Sequence, residues 1–255
     1  MKNFIKDFWN NQAVKFKGNH TASWGDIYAL DLEHKNISEY IKDGDIVLDA
    51  GCANGFATIK HATEKKINII GIDYAESMIE YANENLKMTE LKNTNFKVGD
   101  ITKLDFPDNY FDVVYTTRVL INLSTWEEQK KGLLECIRVT KKGGTIVFSE
   151  GFFEPFMKLN VMRNNFNLAP LEEHDFNRYI KKYRIEKFFN ENNFTYTNVD
   201  FSSMYYIGSR VLRDVFTNPS DYSGYSNPIN KYFYDLELKY SGGDVGIQQL
   251  YVVTK

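Results

Sequence analysis

Short apolar runs alternate along this chain with longer stretches in which apolar residues recur at helical spacing. Residues 46–50, 67–72, 95–98, 111–115 and 145–149 read as strands, the first two as near-continuous apolar runs, which is the pattern of strands covered on both faces. Residues 55–64, 75–87 and 125–139 read as the helices between them. Pro107-Asp108-Asn109 marks a turn before the fourth strand. Strands alternating with helices over short connections predict an α/β fold: a doubly wound, mostly parallel sheet with helices on both faces and right-handed crossovers. Ahead of it, residues 1–45 read as a helical extension, with Phe4, Phe8 and Trp9 near helical spacing and Leu30, Ile37, Tyr40 and Ile41 continuing an apolar face. Beyond residue 150 the pattern loosens. A helix is expected at 178–191, a strand at 194–203, a polar, aromatic-rich insertion at 211–246 and a last strand at 248–253. The whole, residues 1–255, is expected to form one domain, divided into the extension (1–45), a core (46–150) and a C-terminal part (151–255).

Composition narrows the function. The 255 residues are 43% hydrophobic and 15% aromatic, ample for a sizeable core. A formal net charge of −3 speaks against a nucleic-acid partner, whose phosphates call for a basic surface. The start, MKNFIKDFWNNQ, lacks the uninterrupted apolar stretch of a signal peptide, and nothing approaches the length of a membrane span, so a cytoplasmic protein without a membrane partner is expected. Two cysteines, Cys52 and Cys136, suit a reducing compartment and read as packing residues.

The candidate chemistry begins at IVLDAGCANGFAT, residues 46–58: a strand closing on Asp49, then a small-residue turn, Gly51 to Gly55, leading into a helix. Glycine permits positive φ, and free N–H groups at the helix start form a polar cradle. A dinucleotide site wants G-x-G-x-x-G. Here the outer glycines are one residue closer, Ala53 replaces the middle glycine, and Asp49 would repel a diphosphate; a cationic ligand suits the turn better. Asp73 then closes the second strand, where a carboxylate can accept both hydroxyls of a ribose. Asp100 follows the third strand, and FDVVYTTRVLINL spans the fourth and the loop after it.

These four elements, in this order, resemble the class I S-adenosylmethionine (SAM)-dependent methyltransferases, whose first motif is usually D-x-G-x-G-x-G or D-x-G-C-G-x-G. Ala53 is the one mild departure. The resemblance implies SAM as cofactor and S-adenosylhomocysteine as product. It implies that Asp49, Gly51, Cys52, Ala53 and Gly55 hold the amino-acid end, that Asp73 takes the ribose, and that Tyr74 and Met78 flank the adenine. Asp100 would meet the adenine amino group while Ile101 packs on the ring, and Thr117 and Arg118 would face cofactor and acceptor. It further implies that one of the last two strands is antiparallel. Trp24, in the turn 21–26 that interrupts the extension, is a candidate to close over the nucleoside. SWGD, VLDAGCANG, TTRVLINL, SE after the fifth strand, HDFNRY and YYIGSR are also similar to bacterial small-molecule methyltransferases of surface-polysaccharide assembly, which would imply O-methylation of a sugar, sugar phosphate or related polar precursor.

Acceptor residues are expected after the fifth strand, outside the carboxyl ends of the sheet. The candidates are Glu150, Arg163, Asn177, Tyr179, Tyr206 and Arg210, with His174 as general base and Glu150 or Tyr206 behind it. His20, His34 and His61, in helical or N-terminal stretches, read as surface residues. Arg118, Arg163 and Arg210 around one mouth would suit an anionic acceptor, unless they pair with Glu150, Glu172 or Glu173. No N-P-P-[YF] pattern of amide or adenine N-methylation follows the fourth strand, and no metal constellation stands out. The leading expectation is thus O-methylation of a small polar molecule. N-methylation of a small amine, aminopropyl transfer and a non-catalytic SAM-binding subunit are the rivals. A monomer or homodimer is expected, the insertion at 211–246 serving as cap or dimer contact.

Overall fold

A computed structural model describes residues 2–217 and 224–255. The chain opens with helices α1 (Lys2–Phe16) and α2 (Ile27–Ser38), then runs β1 (Ile46–Ala50), α3 (Phe56–Glu64), β2 (Asn68–Asp73), α4 (Glu76–Lys87), β3 (Thr94–Val98), β4 (Phe111–Thr117) and α5 (Trp126–Val139). It continues through β5 (Thr140–Gly151), α6 (Phe153–Asn165), α7 (Lys182–Glu191), β6 (Thr195–Asp200) and α8 (Ser203–Ile207). A π-helical turn (Gly208–Leu212) joins α8 to α9 (Arg213–Phe216), and α10 (Ile229–Glu237) precedes β7 (Gln248–Thr254). Of the insertion expected at 211–246, residues 218–223 lie outside the described residues.

The strands form one seven-stranded sheet in the order β3-β2-β1-β4-β5-β7-β6. All neighbours are parallel except that β7 runs antiparallel to β5 and β6, as the sequence led us to expect. Period-two alternation assigns the faces. Val47, Ile69, Val113, Tyr115 and Val147 pack with Leu32 and Ile37 of α2, whereas Leu48, Val114, Ile146 and Phe148 pack with Leu133 and Cys136 of α5 and with Phe189 of α7. Each fully buried aliphatic side chain of this kind contributes about 2 kcal/mol by its transfer from water. The chain leaves β1 toward β2 and β3, then returns to β4 on the other flank. The crevice at this reversal, outside the carboxyl ends of β1 and β4, is where such sheets bind ligands.

The C-terminal part differs from expectation. Residues 153–165 form α6, which the contiguous Phe152, Phe153, Phe156 and Met157 masked as a helical period. The helix expected from 178 starts at Lys182, because Tyr179 and Ile180 are drawn to the end of β5: Ile180 N–H donates to Gly151 O at 3.0 Å and Phe153 N–H to Ile180 O at 3.0 Å. β6 stops at Asp200, whose carboxylate accepts from Ser202 N–H and turns the chain. Among the described residues no helix is long and apolar enough to cross a membrane.

Candidate functional site

The turn after β1 is stitched to β2 by Gly51 and Cys52, whose N–H groups donate to Ile72 O at 2.7 and 2.8 Å. Gly51 (φ 103°) and Gly55 (φ 77°) occupy the left-handed region. A side chain at Gly51 would meet Val119 Cγ2 at 2.0 Å, and one at Gly55 would meet Phe96 Cζ at 2.6 Å, so both glycines make room for protein neighbours. Ala53 also has positive φ (47°), a cost of about 1 kcal/mol for a residue with a Cβ. Its N–H donates to Asp73 Oδ2 at 3.0 Å, which holds the strained turn in place. Asn54 is buried and donates to Lys17 O and Asn19 O at 2.9 and 2.8 Å, tying the turn to the end of α1.

The turn faces a cavity of about 1160 Å³, large enough for a nucleoside cofactor and a small acceptor together. Asp49 lines its floor and is 1% exposed. Its Oδ2 accepts from Thr58 Oγ1 at 2.6 Å, while Oδ1 has no hydrogen bond of normal geometry among the described residues. Burial pushes this carboxyl up to about 7, against the pull of Thr58 and the nearby Tyr115 hydroxyl. Asp73 accepts from Ala75 N–H at 2.9 Å as well as from Ala53, and burial pushes it up to about 6. A buried acid with an unsatisfied oxygen fits an ammonium, and a second acid at the end of the adjacent strand fits a diol. The donor set therefore suits the amino-acid and ribose parts of SAM. Tyr74, Met78, Asp100 and Ile101 line the same wall, as do Cys52 and Gly51. Asp100 is braced by Thr102, whose N–H and hydroxyl donate to Oδ1 at 2.8 and 2.7 Å. Gly55 caps α3 outside the lining. Burial raises the Cys52 thiol well above its ordinary range, in keeping with a packing role.

The opposite wall is built on the ends of β4, β5 and β7. Thr117 and Arg118 line it, Arg118 with positive φ (57°). The Arg118 guanidinium donates to Glu33 and lies 4.7 Å over the Trp24 ring, and Trp24 Nε1 donates to Tyr225 Oη at 3.1 Å. Glu33, 2% exposed, also accepts from Ser149 Oγ and Gln248 Nε2. Sequence reasoning missed Glu33 and Gln248; only the fold brings α2 over β5 and β7. Asn177, Tyr179, Tyr206 and Arg210 line this end too. Arg210 donates to buried Asp26 and to Ser209 Oγ, with Tyr206 and Tyr225 each 5.1 Å from its guanidinium carbon.

Three expectations are corrected. Glu150 lies outside the cavity, wholly buried, and is a brace for the loop after β4: it accepts from Thr116 Oγ1 (2.7 Å) and from the N–H groups of Val119, Leu120 and Ile121 (3.1, 3.1 and 3.3 Å). Arg163 also lies outside, donating to Ala169 O, Arg210 O and Asp214. Its partner, and those of Arg118 and Arg210, are none of the glutamates considered from sequence. His34 (5% exposed) and His61 (0%) are buried cavity residues, not surface ones, because α2 and α3 pack them against each other. His174, the expected base, sits exposed at the rim, its ring 4.4 Å from that of Phe176 and 5.5 Å from that of Phe8.

With this geometry in hand, comparison with known proteins is informative. Residues 41–193 match the family model described as a methyltransferase domain. An uncharacterised methyltransferase of Schizosaccharomyces pombe is 36% identical over 121 residues, 44% of this chain and 42% of that protein. Phosphoethanolamine N-methyltransferase 3 of Arabidopsis thaliana is 34% identical over 83 residues, 32% of this chain and 17% of the relative. The matched segment thus spans less than half the length of these relatives. The crystal structure of the [4+2]-cyclase SpnF superposes with a TM-score of 0.60 at 20% identity, over 89% of this chain and 82% of that one, a likeness of fold. Matched over more than half its length and folded as these proteins fold, the chain belongs to the class I SAM-dependent methyltransferase family.

Proposed function

We propose that the protein transfers the methyl group of SAM to an oxygen of a small polar acceptor held between α2, the loop after β4 and the tyrosines at 179, 206 and 225. The observation that carries this reading is Asp49, a buried acid with an unsatisfied oxygen at the cavity floor, with Asp73, a second acid, held by Ala53 of the same turn. When bound, SAM would supply a methyl carbon on a positively charged sulfur. Asp49 would hold the ammonium, Asp73 the ribose, Tyr74, Met78 and Ile101 the adenine, with Asp100 at its amino edge. The chain's remaining task is alignment of an oxygen with the methyl, worth several orders of magnitude by fixed orientation alone.

Arg118 and Arg210 would orient the acceptor. Each is already paired with a buried acid, Glu33 and Asp26, so the wall offers directed donors with little net charge, suited to a polyhydroxylated molecule such as a sugar, phosphorylated or not. Tyrosine faces there match the apolar flanks of such a ring. The phosphoethanolamine relative makes small amines the second class to try. Calorimetric titration with S-adenosylhomocysteine, with NADH as control, tests the cofactor. Binding of the former alone supports the reading and justifies a screen of sugars, sugar phosphates and amines; binding of NADH alone, or of neither, sinks it.

A further inference from the structure

Among the described residues, each of the four lysines and arginines lining the cavity is joined to a carboxylate. Lys60 Nζ lies 2.7 Å from Asp31 and Lys231 Nζ 2.6 Å from Asp235, in partly exposed pairs. The other two pairs are built differently. Arg118 meets Glu33 and Arg210 meets Asp26, acids whose side chains are 3% and 0% exposed. Glu33 also accepts from Ser149 of β5 and Gln248 of β7. Asp26 also accepts from Tyr205 Oη at 2.6 Å and Ala29 N–H at 3.2 Å. Each arginine keeps N–H groups with no acceptor among the described residues: Arg118 makes one side-chain hydrogen bond, to Glu33, and Arg210 makes two, to Asp26 and Ser209. Glu172 and Glu173 line the same cavity, Glu173 accepting from Tyr179 N–H at 2.9 Å.

An acid buried beside each arginine is costly to desolvate and weak evidence for a gain in stability, so the pairs ask for another role. An acceptor that brought a negative charge to this wall would itself pair the arginines, and the two acids would oppose it. We propose that Glu33 and Asp26 set acceptor specificity by excluding anions, so that the part of the acceptor held at this wall is uncharged and its phosphate or carboxylate analogue is refused. The inference rests on the methyl-transfer reading and narrows it.

The chemistry is one of donors without free charge. A hydroxyl, ether or carbonyl oxygen accepts the spare N–H groups of Arg118 and Arg210, and a charged donor makes such a bond strong. An anion at the same donors would stand beside Glu33 or Asp26, where like charges in a water-poor site repel most. Glu172 and Glu173 add the same sign from the segment before Tyr179. Discrimination thus comes from a built-in repulsion as well as from an attraction.

The test is calorimetric titration of the whole protein, saturated with S-adenosylhomocysteine, with inorganic phosphate. The unaltered protein should show no phosphate binding at this wall. Glu33→Gln and Asp26→Asn keep the shape of each acid and remove its charge. Either variant, once its circular dichroism matches that of the unaltered protein, should gain affinity for phosphate by about tenfold or more, the worth of a hydrogen bond to a charged group. Adding Arg118→Gln to the first, or Arg210→Gln to the second, should abolish the gain. With a neutral sugar and its phosphate as competing acceptors, Glu33→Gln should shift the ratio of kcat/KM toward the phosphate, a change that simple loss of stability would not produce. Phosphate bound by the unaltered protein and lost on Arg118→Gln or Arg210→Gln overturns the proposal. So does a folded variant that gains nothing, or a gain that survives removal of its arginine. If the unaltered protein does not bind S-adenosylhomocysteine, the methyl-transfer reading falls; if it binds and the variants gain no phosphate, only the exclusion of anions does.

Discussion

Asp49 and Asp73 differ in how they are held, and that difference makes separate predictions. Asp73 is fixed by the N–H groups of Ala53, Ala75 and Tyr74. Asp73→Ala should weaken S-adenosylhomocysteine binding roughly 10- to 100-fold, the worth of hydrogen bonds to a charged group, as read by calorimetry. Asp49 predicts a pH dependence. Its carboxyl sits near 7 in the fold and at 3.8 in the unfolded chain. Between those values the folded protein keeps a proton that the unfolded chain has lost, so stability is full below about pH 4 and falls as pH rises through 7. Asp73 and Glu150, raised to about 6 and about 7 by burial, act in the same sense. The urea midpoint of the ligand-free protein should therefore decline between about pH 5 and 8. Over the same interval S-adenosylhomocysteine should bind more tightly, as ionised Asp49 gains an ammonium partner, and Asp49→Asn should flatten that rise. Affinity that ignores pH in the unaltered protein would contradict this. At this scale the acids at strand ends were legible because each closes an apolar run. His34, His61 and Glu33 were not, since their burial depends on which helix faces which strand.

At the scale of elements, the loop after β4 shapes the cavity wall around Arg118, and Glu150 shapes the loop. Three successive N–H groups and the Thr116 hydroxyl converge on its carboxylate. Val119, in that loop, fills the space that a side chain at Gly51 would need. Glu150→Ala should thus destabilise the protein by on the order of 3 kcal/mol, measured by chemical denaturation, because it strands buried donors. An effect below about 1 kcal/mol would mean that water replaces the brace. The sequence read β1 through α5 closely because strand and helix periods there are unmixed. It missed α6, where apolar residues cluster at the helix start, and it placed the start of α7 early, where Tyr179 and Ile180 join the end of β5 instead.

On the scale of the molecule, α1 is a clamp over α4 and the turn after β1. Lys6 pairs with Glu76, Asn10 Oδ1 accepts from Ser77 N–H at 3.0 Å, Trp9 Nε1 donates to Asn122 Oδ1 at 3.0 Å, and Asn54 anchors the far end. Hydrogen exchange should show α1 amides slowed by S-adenosylhomocysteine. Asn54→Ala should speed their exchange while the central strands stay protected; equal exchange in both proteins would deny the anchor. The doubly wound sheet and its antiparallel strand were legible from alternation and resemblance, whereas the seats of Asp26 and Arg210 were not. Asp26, ahead of α2, meets Arg210 only when the chain has folded across much of its length.

The place of β7 has a consequence for how the protein comes into being. It lies between β5 and β6, so β6 has no partner in the sheet until residues 248–254 arrive. During synthesis the strands that bear Asp49 and Asp73 can assemble early, but two edges stay open until the final strand emerges. Gln248 and the seat of Glu33 arrive with that strand. The crevice at the ends of β1 and β2 first, the wall around Glu33 and Gln248 last, is the order in which a nascent chain would complete the cavity, and the interval between them is when it is most exposed to aggregation.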